Sequence, residues 1–361
     1  MSHPSRPSPV KVGFVLLSNS RRPLPSTRIA ALNMFPFLRR AHFEPSVLFE
    51  PEQPTEFPDL SGLERRVAEE GLGIVVFQKV HGPSVEKLAH QLSASGVRTV
   101  YSVCDLVDLE MVAATHMTLT VTDYLKRLYP PAYQAKIRVV HDGIEHPERY
   151  KTAWGTHRGS RRRPLHVVLV TSDSLSSLPL LDTPPAWVRL TIVGSYPPEN
   201  LMLDRLRAIR WQLGARRTGG ERLAYLRFLA NRRIRCLPWD PIGVYDHMCD
   251  ADVGIIPIEP GLNPGSWNLK SENRLTMKMC VGLPVIATPI PSYEAVVEHG
   301  RTGFLARTPA DWLSCLEALR DPARRREVGE RGREAVIKAY SKEEQARLLL
   351  EALPRHARPA A

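Results

Sequence analysis

The chain of 361 residues is too long for one ordinary core, and a hydrophobic content of 43% suits two domains of about 150 to 200 residues each. Its net charge of +11 is spread over both halves, with +3 on residues 1–160 and +8 on the remainder, and no nucleic-acid-binding motif accompanies it. The sequence therefore predicts no nucleic-acid partner, and the charge suits anionic substrates or weak adhesion to an acidic membrane face.

The targeting and redox signals favour a cytoplasmic protein. No apolar run approaches the roughly 18 residues of a membrane span, and the first residues do not resemble a secretion signal. We therefore expect a soluble protein with at most peripheral membrane contact. Five cysteines, odd in number, lack metal-ligand or redox spacing, so we expect reduced core residues and no metal site. They are Cys104, Cys236, Cys249, Cys280 and Cys315.

The first half alternates short apolar runs with amphipathic segments after a Pro/Ser-rich tail at 1–10. Strands are predicted at 12–18, 45–49, 74–78, 99–103, 119–122 and 137–141, and helices at 27–40, 60–71, 84–95 and 123–134. Continuous apolar strands that alternate with helices indicate a parallel sheet covered on both faces. Residues 11–150 are therefore predicted to be a Rossmann-like domain, and the charged, Gly/Pro-containing stretch 151–164 a linker.

The second half, residues 165–340, repeats the pattern. Strands are predicted at 167–171, 190–194, 234–237, 253–257, 285–288 and 303–306, and helices at 199–213, 222–232, 242–251, 272–281, 292–299, 309–320 and 322–339. A last helix at 342–353 opens the segment 341–361, which we expect to pack back on the first domain. Two similar α/β domains imply a deep cleft between them, with ligands at the carboxyl ends of the strands and the linker as a hinge.

The stretch from Lys270 to Pro289 carries the strongest signal for a ligand. It indicates a loop, a cap at Ser271, a helix stopped by Gly282, and a short buried strand. Lys270 and Arg274 lie at the start of that helix, where cations oppose the helix dipole. An anion such as phosphate would remove the conflict, because backbone N–H groups and both cations would point at it.

Other candidates follow predicted strands. Ser26, Thr27 and Arg28 could contact substrate, although Ser26 or Thr27 could equally cap a helix in a solvated connector. His141 and Asp142 could orient hydroxyls or accept a proton, although Asp-Gly is also an ordinary turn. His81 and Asp105 also fall just past strands. The chain lacks a Walker loop, a nucleophile elbow and the Gly-x-Gly-x-x-Gly of a nicotinamide dehydrogenase.

Together these motifs resemble a known family. The stretch Met277-Lys-Met-Cys-Val-Gly-Leu-Pro-Val-Ile-Ala-Thr-Pro289 and the continuation Pro291 to Leu305 are similar to segments of retaining nucleotide-sugar glycosyltransferases of the GT-B fold, in the group-1 (sucrose-synthase-like) family. Residues 239–257 match that family's loop, helix and Ala-Asp-Val strand. The resemblance is strong over 239–305 and looser elsewhere.

The chain also departs from the family pattern. Two glutamates that usually contact the donor sugar and ribose align with Leu269 and Met277, and the Arg and Lys that usually follow the first strand of the second domain are missing. Diphosphate neutralisation would then fall to Lys270 and Arg274, assisted by the hydroxyl-rich loop 171–177.

The resemblance implies transfer of a sugar from a nucleotide diphosphate sugar to an acceptor hydroxyl or amine, with retention and without a metal or other cofactor. The first domain would bind the acceptor and the second the donor. The implied catalytic residues are Lys270, Arg274, His141 and Asp142. The implied donor-binding residues are Ser172, Ser174, Gly194, Trp239, Glu259, Glu272, Asn273 and Met277, and the acceptor-binding residues are Ser26, Thr27, Arg28, His81 and Asp105.

Two alternatives stay open: a nucleotide-sugar epimerase of the same fold, and a nucleotide-sugar-binding protein that has lost catalysis. The base and sugar of the donor and the identity of the acceptor do not follow from the sequence. We expect a monomer or homodimer, and the composition hints at a bacterial glycan or natural-product pathway.

Overall fold

The structure, a computed structural model, describes residues 8–172, 174–178, 183–216, 218–258 and 264–354. It divides into two compact units. The first comprises the described residues up to Glu145, the short segment Leu269–Ser271, and the described residues from Tyr340 onward. The second comprises the described residues of 146–268 and 272–339.

The first unit is built on a six-stranded parallel sheet. Its strands are β1 (Val10–Val15), β2 (Phe43–Phe49), β3 (Ile74–Gln78), β4 (Arg98–Val103), β5 (Met117–Thr120) and β6 (Ile137–Val139). Its helices are α1 (Pro25–Ala30), α2 (Phe35–Arg40), α3 (Leu63–Glu70), α4 (Pro83–Ala94), α5 (Leu109–Ala114) and α6 (Asp123–Leu128), with 3-10 turns at Leu32–Met34 and Pro131–Lys136. The strand order is β2-β1-β3-β4-β5-β6, and every pairing is parallel.

The second unit contains another six-stranded parallel sheet. Its strands are β7 (Leu165–Val170), β8 (Val188–Gly194), β9 (Ile234–Pro238), β10 (Val253–Ile256), β11 (Val285–Ala287) and β12 (Phe304–Leu305). Its helices are α7 (Met202–Ala215), α8 (Gly219–Ala230), α9 (Gly243–Asp250), α10 (Pro264–Asn268), α11 (Asn273–Cys280), α12 (Pro291–Glu294), α13 (Pro309–Ala318) and α14 (Pro322–Ile337). The order is β12-β11-β10-β7-β8-β9.

Each sheet is buried because its strands are apolar along their whole length. Successive side chains of a strand point to opposite faces, so a continuous apolar run packs against helices on both sides. Alternate residues of β3 accordingly fall in different hydrophobic clusters, with Val75 and Phe77 in one and Ile74 and Val76 in the other. The predicted fold class, two Rossmann-like α/β domains, is confirmed.

The last helix, α15 (Lys342–Ala352), belongs to the first unit. Its residues Ala346 and Leu349 lie in the same buried cluster as Phe35 and Leu38 of α2. The stretch 151–164, predicted as a linker, lies within the second unit, where Lys151 donates from Nζ to the carbonyl of Ala251 at 2.6 Å.

Element bounds differ from the prediction mainly at prolines. The helix predicted at 27–40 is broken into α1, a 3-10 turn and α2, because Pro36 lies at the start of α2 and cannot continue a helix that precedes it. The helix predicted at 123–134 ends at Leu128, just before Pro130 and Pro131. Helices α5 and α10 were not predicted. No helix among the described residues combines the length and apolar character needed to cross a bilayer.

Candidate functional site

The strand order of the second sheet points to one edge for ligand binding. In parallel α/β sheets, ligands bind beyond the carboxyl ends of the strands where the order reverses, which here is between β7 and β10. Ser172 is exposed in the loop that follows β7. Arg274, in the first turn of α11, donates from Nη2 to Ser172 Oγ at 3.0 Å. Two of the predicted site residues therefore meet at this edge.

The start of α11 favours an anion. The side chain of Glu272, at the cap position, makes no capping hydrogen bond, and the first turn contains Arg274 and no acidic residue. The backbone N–H groups, the helix dipole and the guanidinium all complement a negative charge there. The predicted cap, Ser271, is wrong, because its Oγ donates instead to Asp142 Oδ2 at 2.6 Å within the first unit. The helix closes as predicted at Gly282, which has a φ of 80°.

The same helix buries a lysine one turn after Arg274. Lys278 is fully buried, and its Nζ donates to the backbone carbonyl of Arg274 at 3.1 Å. Its stem lies against Gly254 of β10, where a Cβ would meet Lys278 Cδ at 3.0 Å. Burial, helped by the charge of Arg274, lowers the pKa of Lys278 to about 7. Lys278 therefore changes its charge near neutral pH, in contact with the backbone of the candidate anion site.

Three other residues predicted to bind the donor lie at the start of α11 or within it: Glu272, Asn273 and Met277. Glu272 is buried, and its carbonyl accepts the N–H of Leu275 at 2.8 Å. Asn273 is the first residue of α11, and Met277 packs against a hydrophobic cluster that includes Leu237. Glu259, also predicted to bind the donor, lies outside the described residues.

The loops after β7, β8 and β9 hold the remaining donor candidates. Gln212 Nε2 donates to Ser174 Oγ at 3.3 Å, which ties the loop after β7 to helix α7. The carbonyl of Gly194, the last residue of β8, accepts the backbone N–H of Trp239 at 2.8 Å. The Trp239 side chain is 38% exposed.

The first sheet reverses its order between β1 and β3, where a buried polar network lies. Gln78, the last residue of β3, accepts at Oε1 from the backbone N–H of Leu17 (3.2 Å) and from Thr27 Oγ1 (2.8 Å). Ser18 Oγ donates in turn to Thr27 Oγ1 at 2.9 Å. Thr27 is fully buried, so its role in this structure is to anchor α1 to the sheet.

The predicted cap of α1 is wrong. Neither Ser26 nor Thr27 caps the helix, whose cap position is Leu24 and which starts with Pro25. Proline at the first helical position needs no cap for its missing N–H. Arg28 forms a two-pronged ion pair with Glu145 at 2.7 and 2.8 Å.

A charged cluster occupies the carboxyl ends of β3 and β4. Asp105 bridges Lys79 at 2.9 Å and Lys270 at 2.8 Å, and Lys79 also contacts Glu56 at 3.2 Å. Burial opposes the charge of Asp105, but hydrogen bonds from Lys270 and Lys79 outweigh it and lower its pKa to about 2. Lys79 has a φ of 60°, a conformation that a residue with a side chain rarely adopts.

Next to this cluster lies a histidine with an acidic partner. His81 Nδ1 is 3.2 Å from Asp108 Oδ2, while Asp108 Oδ1 accepts the N–H of Met111 as the cap of α5. The His81 ring also packs edge-on against Phe57, with 4.5 Å between ring centroids. His81 and Asp105, both predicted to contact the acceptor, thus belong to one polar surface of the first unit.

His141 and Asp142, predicted as site residues after the last strand of this sheet, are held by different segments of the first unit. The backbone N–H of His141 donates to Gln345 Oε1 at 2.8 Å, and its ring packs edge-on against Tyr340. Asp142 is buried and accepts from Ser271, as described above. The strand itself ends at Val139, earlier than predicted.

Sequence reasoning expected acceptor contacts from the loops 51–60 and 79–84 but did not name Glu56, Lys79 or Asp108 individually. Lys79 directly follows a correctly predicted strand. The rule that identified Asp105, that polar residues just past a strand are site candidates, therefore also applies to Lys79. Asp108 precedes a helix that was not predicted, and Glu56 lies in an irregular loop. Across the described part of the chain, no group of three His, Cys, Asp or Glu side chains is arranged to hold a metal ion.

Comparison with known proteins gives the class. Residues 244–351 match a family model described as glycosyl transferase-like, and this segment includes α11 and Arg274. The prediction of a glycosyltransferase is confirmed at the level of this enzyme class. No curated protein matches the chain by sequence.

Solved structures show the same fold. A glycosyltransferase from Rickettsia africae has a TM-score of 0.68 at 12% identity, covering 95% of this chain and 97% of that one. Anabaena HepE in complex with UDP-glucose has a TM-score of 0.64 at 14% identity, covering 94% and 98%. Sucrose-phosphate synthase from Thermosynechococcus elongatus has a TM-score of 0.65 at 13% identity, covering 95% and 98%.

Proposed function

We propose that the protein transfers a sugar from a nucleoside diphosphate sugar to an acceptor hydroxyl or amine, with retention of configuration and without a metal ion. The observation that carries the proposal is the contact between Arg274 and Ser172 at the start of α11 and the reversal point of the second sheet. A guanidinium, a hydroxyl and uncapped helix N–H groups form a donor set suited to a diphosphate.

The residues act on the leaving group. When the bond between the anomeric carbon and the phosphate oxygen breaks, the diphosphate gains negative charge, and Arg274 with the N-terminus of α11 stabilises it. The acceptor oxygen bonds to the anomeric carbon, and its proton passes to the departing phosphate. Because protein cations neutralise the diphosphate, we expect that chelators leave the rate unchanged.

The first unit is the proposed acceptor unit. The charged surface of Lys79, His81 and Asp105 at the carboxyl edge of its sheet offers both donors and acceptors for hydroxyl groups. Uridine diphosphate is the first nucleotide to test, because the similar HepE structures contain UDP or UDP-glucose.

Calorimetric titration with UDP tests the donor site. Loss of a charged hydrogen bond costs about 1.5 to 3 kcal/mol, so Arg274→Ala should weaken UDP binding by about 10- to 150-fold. Turnover should fall by about two orders of magnitude or more. Arg301→Ala, which removes an exposed arginine paired with Glu298, is the control and should change neither.

The outcomes separate the alternatives. Normal UDP affinity and turnover in Arg274→Ala would contradict the assigned site. UDP binding without transfer to any acceptor would indicate a binding protein, and conversion of a labelled nucleotide sugar without an acceptor would indicate an epimerase. Inverted configuration of the product, determined by NMR, would exclude the retaining reaction.

A further inference from the structure

The connection between β8 and β9 exposes an unusual amount of apolar surface. Large hydrophobic side chains that are exposed number sixteen among the described residues, and eight of them fall within residues 201–229. On α7, Met202, Leu203 and Trp211 are 73%, 72% and 70% exposed. None of the described residues of this helix is buried. Concentrated exposed apolar surface marks an interaction site more often than scattered residues do.

Helix α8 carries apolar side chains on two sides, one facing the core of the second unit and one facing outward. Tyr225 and Phe228 are buried in the core of the second unit, as an ordinary crossover helix requires. Leu223 and Leu226, spaced three residues apart on the other side, are 49% and 47% exposed. About half of the surface of each of these two leucines is therefore open to an external partner.

The same segment is strongly basic. Residues 199–233 contain nine arginines against three acidic residues, a net charge of +6 out of the +11 of the whole chain. Arg210 on α7 and Arg227 on α8 are exposed, and no ion pair involves either of them within the described residues. Arginine heads interleaved with Leu, Met and Trp are the composition of helices that lie in the headgroup region of a bilayer.

We propose that α7 and α8 form a docking surface for an anionic lipid membrane. A second copy of the chain is a poorer partner, because a twofold interface would bring two surfaces of +6 together. A nucleic acid would complement the arginines but leave the leucines exposed to water. An anionic bilayer accepts both, since its headgroups attract the arginines while its interface buries the apolar side chains.

This surface does not depend on the proposed sugar transfer. It is formed by the crossover between β8 and β9, and none of Leu203, Arg210, Trp211 or Arg227 belongs to the candidate donor site. Variants of these four residues should therefore retain UDP binding, which also serves as the check that they fold.

Vesicle flotation with the full chain tests the proposal. Vesicles of equal parts phosphatidylglycerol and phosphatidylcholine should bind the protein in low salt, and vesicles of phosphatidylcholine alone should not. Each arginine near an anionic surface contributes about fivefold in partitioning, so Arg210→Glu with Arg227→Glu should weaken binding at least about 25-fold. The matched control, Arg161→Glu with Arg162→Glu, makes the same change of charge on another exposed stretch and should bind almost normally.

The apolar contribution is tested separately. Leu203→Ser with Trp211→Ser should reduce binding at least about tenfold, whereas Leu128→Ser with Leu313→Ser, at two other exposed leucines, should not. The proposal would be overturned if a test pair and its control lost the same amount of vesicle binding. It would also be overturned if the protein bound neutral vesicles and none of the variants reduced that binding. If light scattering shows a dimer and Leu203→Ser with Trp211→Ser dissociates it, the surface binds a second copy of the chain instead. If Arg210→Glu with Arg227→Glu abolishes binding to duplex DNA while vesicle binding persists, the surface binds nucleic acid instead.

Discussion

Replacing the buried Lys278 by methionine should change how the stability of the second unit depends on pH. Methionine has a similar volume and no charge, so Lys278→Met removes the titrating group with little change in packing. In the wild type, burial and the charge of Arg274 hold the pKa of Lys278 at about 7, against an ordinary value of 10.5 in the unfolded chain.

The direction in which the free energy of unfolding changes with pH follows from proton binding by Lys278. Between about pH 7 and 10.5 the unfolded chain keeps the proton on Lys278 and the folded chain releases it, so the free energy of unfolding rises with pH in this window. At about 1.36 kcal/mol per pH unit the whole window corresponds to about 5 kcal/mol, of which about 2 kcal/mol falls between pH 7 and 9. Between pH 7 and 9 the free energy of unfolding of the wild type should therefore rise by about 2 kcal/mol relative to that of Lys278→Met.

Tryptophan fluorescence isolates this effect, because all six tryptophans lie in sequence between 154 and 312 and none falls within the first unit. Urea unfolding of the wild type and Lys278→Met at pH 7, 8 and 9 gives the difference in free energy at each pH. Thiols and phenols that also titrate cancel in that difference. Lys338→Met, at an exposed lysine of the same unit, is the control and should run parallel to the wild type. A constant difference between the wild type and Lys278→Met would refute the reasoning.

Three further outcomes are expected. Asp105→Asn should remove about 2 kcal/mol of stability at neutral pH, and this difference between the wild type and the variant should disappear as the pH falls from about 4 to 2, through the pKa of about 2, which urea unfolding followed by far-ultraviolet circular dichroism would measure. Thr27→Val should cost about 1 to 3 kcal/mol in the same measurement, because Gln78 Oε1 loses one of its two donors and the buried Ser18 Oγ loses its acceptor, and should leave UDP affinity unchanged. Gly254→Ala should destabilise the second unit by about 1 to 3 kcal/mol in tryptophan fluorescence, since its methyl group would press on Leu283 and Lys278; an unchanged midpoint would contradict that packing.

The strands could be predicted because their signal is local. Residues 74–78 were predicted with the observed bounds, and all twelve strands that the structure describes were placed, since a continuous apolar run buried on both faces can be recognised without knowing the neighbouring strands. Helix ends were less predictable. A proline such as Pro36 ends one helix and starts another, and the pattern alone does not decide between a kink and a break.

The candidate site was predictable in its chemistry and less so in its contacts. Arg274 was found from the sequence because a cation at a helix start is locally unfavourable. The partner of Lys270 is Asp105, which is 165 residues away in the chain, and Ser271 contacts Asp142 over 129 residues. No local pattern records such pairings, so a serine that has every attribute of a helix cap serves instead as a donor to a buried carboxylate.

The position of α15 has a consequence for how the protein is made. Its Ala346 and Leu349 complete the cluster around Phe35 and Leu38, so the core of the first unit includes residues about three hundred positions apart. During synthesis, the second unit can fold as soon as it has left the ribosome, while the earlier-made first unit still exposes the surface that α15 will cover. The order of folding should therefore be the reverse of the order of translation, and a nascent chain arrested before residue 342 should bind chaperones through its first unit.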